Sequence, residues 1–342
     1  MRAASLWRRL LPDPASSAVV PRLALAAGLV LAGLLLSAVF LLSMPDDFLW
    51  QRVIEDAGHG PVFAGFAFVL LWLQAPPPSE PVRSAAQYLR VFAIAVAIGV
   101  VTELGQTFMP DRNVSTRDVL HDAAGAALGL AIAWCVERWL ARRRGIGHDD
   151  ARPALMLAII LAAVTILAWQ PLQCARAYAV RQAAWPTLLP LGEAADAAFG
   201  RSHASHVSYG ALPERYRKAG DGESLRLTFA AGARPAWQVT EPMPDWSRSS
   251  ALVLDVTNPL PQPVRVTLRI LDAAHDWTHA DRFNQPLVLP AATRTSVRIA
   301  LPAVALSPRG RRMDMTRIAD VMMFATAPLP AGELYLTRIS LE

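Results

Sequence analysis

Long apolar runs recur through the first half of the sequence and leave it few ways to fold. They are Leu23–Met44, about Gly60–Leu73, Tyr88–Phe108, Val119–Leu140 and Ala154–Leu172, and nothing comparable follows. A bilayer core takes ~20 helical residues, so all but the second are of spanning length. The second reaches it only if His59 and its neighbours enter the interface. Gln74–Pro81, QAPPPSEP, ends that helix, because consecutive prolines cannot continue it. The first run could be read as a signal peptide, but it exceeds the ~7–15 residues of a signal core and no A-x-A site closes it. It is therefore read as an uncleaved span, giving five transmembrane helices.

Arginine placement orients these spans. One side carries Arg2, Arg8, Arg9 and Arg22, then Arg83 and Arg90, then Arg138, Arg142, Arg143, Arg144 and Arg152. The other has Arg52, Arg112 and Arg117. The asymmetry predicts a cytoplasmic N-terminus in a bacterial inner membrane, with everything after Leu172 periplasmic. Pro45–Gly58 would be an outer loop. The net charge of +5 does not argue for a nucleic-acid partner: Lys218 is the sole lysine, and the arginines are scattered or flank apolar runs. Cys135 and Cys174 fall on opposite sides of the membrane and should not pair.

Beyond Leu172 the period changes. A helical, alanine-rich connector with Trp185 leads to segments that largely alternate apolar and polar residues: Ser224–Phe229, Ala251–Val256, Val264–Leu271, Gln285–Leu289, Arg294–Leu301 and Leu334–Leu341. Short alternating strands separated by Pro, Gly and Asn indicate an antiparallel β-sandwich of jelly-roll type. The expected fold class is thus an α-helical polytopic membrane bundle followed by an all-β sandwich. The expected domains are an N-terminal arm (1–22), a four-helix membrane domain (23–140), a basic loop (141–153), a fifth span (154–172), a connector (173–219) and the sandwich (220–342).

Between two apolar runs lies ELGQTFMPDRNVSTRDVLHDAAGAALG, Glu103–Gly129. Charges at membrane depth are costly, so their density calls for a reason. Glu103 and Gln106 share a helix face, as do Asp118 and Asp122, with His121 alongside. Gly125 and Gly129 form a G-x-x-x-G that lets another helix approach closely. Glu103 lies about five residues inside its run, on the order of 7 Å deep. Its carboxylate is there protonated, paired with Arg112 or Arg117, or open to a watered pocket. The plainer alternative is a set of helix caps and loop charges that fix topology, with Asp118 as the cap of the fourth span.

The pattern E-x-x-Q-x-F-x-P-x-R, a short linker, then D-x-x-x-[N/D]-x-x-G-x-x-x-G resembles the VanZ-like membrane family. Here it is Glu103, Gln106, Phe108, Pro110, Arg112, Asp118, Asp122, Gly125 and Gly129, with Glu55 and His59 matching an acidic residue four positions before a histidine. Asp56 stands where that family has a lysine, and Asp122 where it has an asparagine. The resemblance implies a cell-envelope protein associated with glycopeptide-antibiotic susceptibility, without a settled activity. It also implies a binding pocket of Glu55, His59, Glu103, Gln106, Arg112, Asp118, His121 and Asp122. As an enzyme, such a bundle would be a transferase or hydrolase on a lipid-linked glycan or phosphate, with Glu103 or Asp122 as base. No HExxH or CxxC spacing supports a metal, and no metal or cofactor is expected.

In the second half, DAAHDWTHADR packs Asp272, His275, Asp276, Trp277 and Arg282 into one loop. Polar groups around a tryptophan suit sugar recognition; the bland alternative is a solvated loop with the indole against the sandwich edge. Strand order, the DVTNP turn (Asp255–Pro259) and the RMDMTRI run (Arg312–Ile318) resemble galactose-binding-like, carbohydrate-binding jelly rolls. In the alternative, Asp255, Asn258 and Asp272 only hold turns, and Trp237 and Trp246 pack in the core. The expected partners are the lipid bilayer and an envelope polysaccharide or lipid-linked glycan.

Overall fold

The computed structural model describes residues 26–35, 37, 48–74, 82–108, 115–145, 152–188, 190–192 and 198–342. The chain divides into two compact units, Met1–Leu172 and Gln173–Glu342.

The first unit is helical: α1 (Ala26–Leu35), α2 (Leu49–Leu73), α3 (Ala85–Gln106), α4 (Thr116–Arg143) and α5 (Pro153–Ala183). Among the described residues, α2 to α5 are long and apolar enough to cross a membrane. The expected first span is described only as the short apolar α1; the rest of Leu23–Met44 lies outside the described residues. The outer loop expected at Pro45–Gly58 is helical from Leu49 onward, so Glu55, Asp56 and His59 stand on α2 rather than before it. The start of α4 is capped by Ser115, whose Oγ accepts the Asp118 N–H at 3.3 Å. Asp118, expected as the cap, sits instead in the first turn, with Arg142 and Arg143 in the last. Both ends thus complement the helix dipole.

Helices α2 and α4 approach backbone to backbone. A Cβ on Gly125 would lie 2.1 Å from the Gly60 carbonyl oxygen, and one on Gly129 2.5 Å from that of Ala64. Any side chain at either position would separate the pair, which is why G-x-x-x-G stands there. Phe63, Phe66, Val91, Ala95, Ala126 and Leu130 fill the rest of the bundle core. Helix α5 is peripheral: only 6% of its most apolar window is buried, against 50% for α4.

The second unit is a sandwich of two five-stranded antiparallel sheets. Its strands are β1 (Gly200–His203), β2 (His206–Gly210), β3 (Ser224–Phe229), β4 (Ala236–Thr240), β5 (Ala251–Asn258), β6 (Val264–Asp272), β7 (Phe283–Leu289), β8 (Thr293–Ala300), β9 (Ile318–Ala325) and β10 (Gly332–Leu341), with a short α6 (Leu301–Ala305) after β8. One sheet runs β1-β4-β9-β6-β7 and the other β2-β3-β10-β5-β8. Trp237, Trp246, Leu252, Leu254, Leu268 and Ile270 are among its fully buried side chains. The six strands expected from alternation are present. The helical connector is shorter than expected: it stops at Ala183, and the sandwich begins with β1 at Gly200, ahead of the expected 220.

Candidate functional site

At the α2 start, α3 end and α4 start, three helices turn polar side chains into one buried region. His59 comes from α2, Thr102, Glu103 and Gln106 from α3, and His121 and Asp122 from α4; all are at most 8% exposed. His59 Nδ1 lies 3.0 Å from Asp122 Oδ1. An ionised carboxylate only accepts, so Nδ1 carries the proton in this contact and the ring is held in one tautomer. The Asp122 carboxylate has room because position 99 is glycine: a Cβ there would come within 2.8 Å of Oδ2. Glu103 and His121 lie within electrostatic reach of Asp122, and Glu103 and Asp118 within that of His59. Glu103 also accepts the Ser115 backbone N–H, tying the end of α3 to the start of α4.

Among the described residues, two buried atoms there have no partner, His121 Nδ1 and Gln106 Nε2. Buried polar atoms are rarely left so, and those that are call for a ligand or water to complete them. Glu55 and Asp118 are half-buried, and Arg112 lies outside the described residues. Asp56 accepts from Gln170 of α5 at 3.3 Å. The structure therefore brings together His59, Glu103, Gln106, His121 and Asp122, with Asp118 at the margin.

In the sandwich the loop after β6 is built around an arginine that sequence reasoning passed over. Arg311 Nη1 and Nη2 donate to Asp272 at 2.6 and 2.7 Å, while its Nε and Nη2 donate to Asp281 at 2.5 and 2.9 Å. The Arg311 hydrogen bonds hold the Asp281 carboxyl down at about 2. Burial pushes Asp272 up, but Arg311 and the Asp314 N–H outweigh it and the net shift is downward. Arg311 is correspondingly raised by the same two carboxylates. Asp272 is 1% exposed with both oxygens occupied, so it holds the loop rather than meeting solvent. Asn258 does similar work, donating to the carbonyls of Gln262, Leu289 and Pro290. The signal for Arg311 was present in the Arg-Gly-Arg-Arg run at 309–312, where Gly310 takes a positive φ of 82°.

On that frame His275 Nδ1 donates to the Asp281 carbonyl at 2.8 Å, with its Nε2 buried and unpartnered. Asp276 N–H donates to Asp281 at 3.0 Å. Trp277 is held in the left-handed region (φ 67°) and is 81% exposed, its ring edge-on to His275 at 5.5 Å. Beside it opens a cleft of about 400 Å³ lined by Asp276, Thr278, Asp281, Arg309 and Arg311. Arg282 is half-buried with an unpartnered Nε, and burial lowers its pKa. His275, Asp276 and Asp281 place potential ligand atoms within 4.8 Å of one another. However, Arg311 and the Asp276 N–H already satisfy Asp281, which makes this a poor donor set for a cation.

Fold and sites together define a chain that joins apolar, membrane-length helices to an antiparallel β-sandwich. The sandwich is similar to a family 11 carbohydrate-binding module from Clostridium thermocellum solved with a β-1,3-1,4-mixed-linked tetrasaccharide. The two share 14% identity over 42% of this chain and 86% of that one, at a TM-score of 0.30. It is also similar to an exo-β-agarase, at 12% identity over 46% of this chain and 24% of the agarase, with a TM-score of 0.36. No family model matches the sequence, and no curated protein does.

Proposed function

We propose that this is a multi-pass protein of a bacterial inner membrane, VanZ-like in its bundle, that engages an envelope glycan or lipid-linked precursor. The N-terminus and arginine-rich loops are cytoplasmic, and the sandwich is periplasmic. The observation that carries the reading is the buried region of His59, Glu103, Gln106, His121 and Asp122. It gathers buried hydrogen-bonding groups among helices of membrane-spanning length and leaves two of their atoms without a partner among the described residues, which supports a bound ligand. The sandwich contributes a second polyol surface, with the exposed face of Trp277 for stacking and Asp276, Thr278 and Arg309 for hydroxyls.

The test is binding of envelope glycan fragments and lipid-linked precursors to the full-length protein in detergent. Asp122→Asn should weaken precursor binding and Trp277→Ala should weaken polysaccharide binding. If both variants bind every envelope glycan as the unaltered protein does, the reading fails.

One observation favours a second reading, a membrane-embedded transferase or hydrolase on such a precursor. Asp122 fixes the His59 tautomer with Nδ1 protonated, which makes Nε2 the ring's proton acceptor. Glu103 and Asp122 were the expected bases. With Glu103 held by Ser115 and Asp122 by His59, the imidazole is better placed for that role. Turnover of a lipid-linked substrate that vanishes in His59→Gln would support it; turnover unaffected by that change would exclude it.

A further inference from the structure

At the opposite end of α4 from Asp122, α5 stands off from the bundle. At the other end α5 is held to α2, where Leu167 covers Gly60 and Gln170 reaches Asp56. Toward Pro153 a cleft of about 250 Å³ opens between α4 and α5, lined by Trp134, Arg138, Trp139, Arg142, Leu157 and Ile160. One wall is aliphatic, the other aromatic, and two guanidinium groups border it.

The two arginines are in different states. Arg138 is 4% exposed, lies over the Trp134 ring at 4.8 Å and donates to Glu137 and the Arg83 carbonyl. It shares the Glu137 carboxylate with Arg83, which pairs with it at 3.0 Å. Arg142 is exposed and has no ion-pair partner among the described residues. Beside it Arg143 stacks on Trp139 at 4.2 Å. The surroundings thus hold excess positive charge beside an apolar slot, together with two tryptophans, a residue type enriched at membrane interfaces.

We propose that this cleft binds an anionic phospholipid, with the phosphate on Arg142 and an acyl chain against Leu157 and Ile160. A guanidinium offers phosphate paired donors, and basic pockets between transmembrane helices on the cytoplasmic side suit acidic headgroups. The other candidates from within the chain fit poorly. A helix is ~10–12 Å across with its side chains, too wide for a cleft of this volume. The α1 helix is committed elsewhere, with Gly28 against Leu73 and Leu35 against Gly65 of α2.

The test is native mass spectrometry of the delipidated full-length protein in detergent, titrated with phosphatidylglycerol and with phosphatidylcholine of the same chains. The expected result is one retained phosphatidylglycerol and at least ten-fold weaker retention of phosphatidylcholine. Arg142→Gln should weaken the anionic adduct about five-fold, and Leu157→Trp, which fills the slot, should abolish it. Equal retention of the two lipids overturns the proposal, as does undiminished retention in both variants. Displacement of the lipid by inorganic phosphate alone at equal concentration would reassign the site to a free anion.

Discussion

Replacing Arg311 by methionine tests whether the loop after β6 is a rigid platform. The change keeps much of the stem's volume but removes every donor that Arg311 gives to Asp272 and Asp281. Asp272, 1% exposed, keeps only the Asp314 N–H at 2.7 Å; Asp281, 7% exposed, keeps the Asp276 N–H at 3.0 Å. Stranding the buried Asp272 carboxylate in this way costs about 3–5 kcal/mol. Arg311 itself is 28% exposed, so water can replace part of the loss and the low end, about 3 kcal/mol, is expected. For a domain of this size that lowers the unfolding midpoint by roughly 6–12 °C. Thermal unfolding of the full-length protein, followed by near-ultraviolet circular dichroism of the sandwich tryptophans, would read it.

The pH dependence gives a second readout of the same substitution. Both carboxyls titrate below their usual range in the intact protein, Asp281 at about 2. Their contribution is therefore complete above the unfolded carboxylate range and is lost as pH falls through the folded values. In Arg311→Met the stranded acids are pushed upward by burial, so the variant should regain stability on acidification. The triple variant with Asp272→Asn and Asp281→Asn should recover part of the loss at neutral pH. A midpoint change under 2 °C, with the pH trend unaltered, would refute the reasoning.

Three further outcomes follow from the geometry. Trp277→Ala removes an 81% exposed ring and should move the sandwich midpoint by under 2 °C, yet weaken glycan binding about ten-fold or more in isothermal titration. Gly125→Val drives a side chain into the Gly60 carbonyl and should abolish the folded bundle, seen as loss of monodisperse protein on gel filtration in detergent. Gly99→Ala should instead leave α2 and α4 packed while displacing the Asp122 carboxylate from His59. Glycan or precursor binding would then fall while helical circular dichroism stays unchanged.

The helices were legible because their apolar runs have membrane-spanning length, and six strands because apolar and polar residues largely alternate along them. Val264–Leu271 and Arg294–Leu301 largely alternate in sequence, and they form β6 and β8. Of the four strands that escaped notice, β1, β2, β4 and β9, three have a plain physical reason. β9 lies between β4 and β6, and Met322 and Phe324 on its outer face are half-buried, which erases the polar half of the pattern. β1 and β2 are the first strands of their sheets, short edge segments rich in Ser, His and Gly. In the bundle, helical spacing was enough to place Glu103 with Gln106 and Asp118 near Asp122. It could not show that Asp122 meets His59, because that contact joins residues 63 positions apart. Nor could it separate Asp272 from Asp276 in one polar loop: only Arg311, brought in from 39 residues downstream of Asp272, makes one an anchor and leaves the other exposed.

Gly99 and Asp122 also constrain what this chain can become. The carboxylate occupies the volume that any β-carbon at 99 would claim, so neither position can change freely while the other stays. An acid held against His59 at 122 therefore favours glycine at 99, and a shorter side chain at 122 would release that position. The two columns should drift together across relatives, and an alanine at 99 would mark a descendant in which the imidazole of His59 has lost its carboxylate.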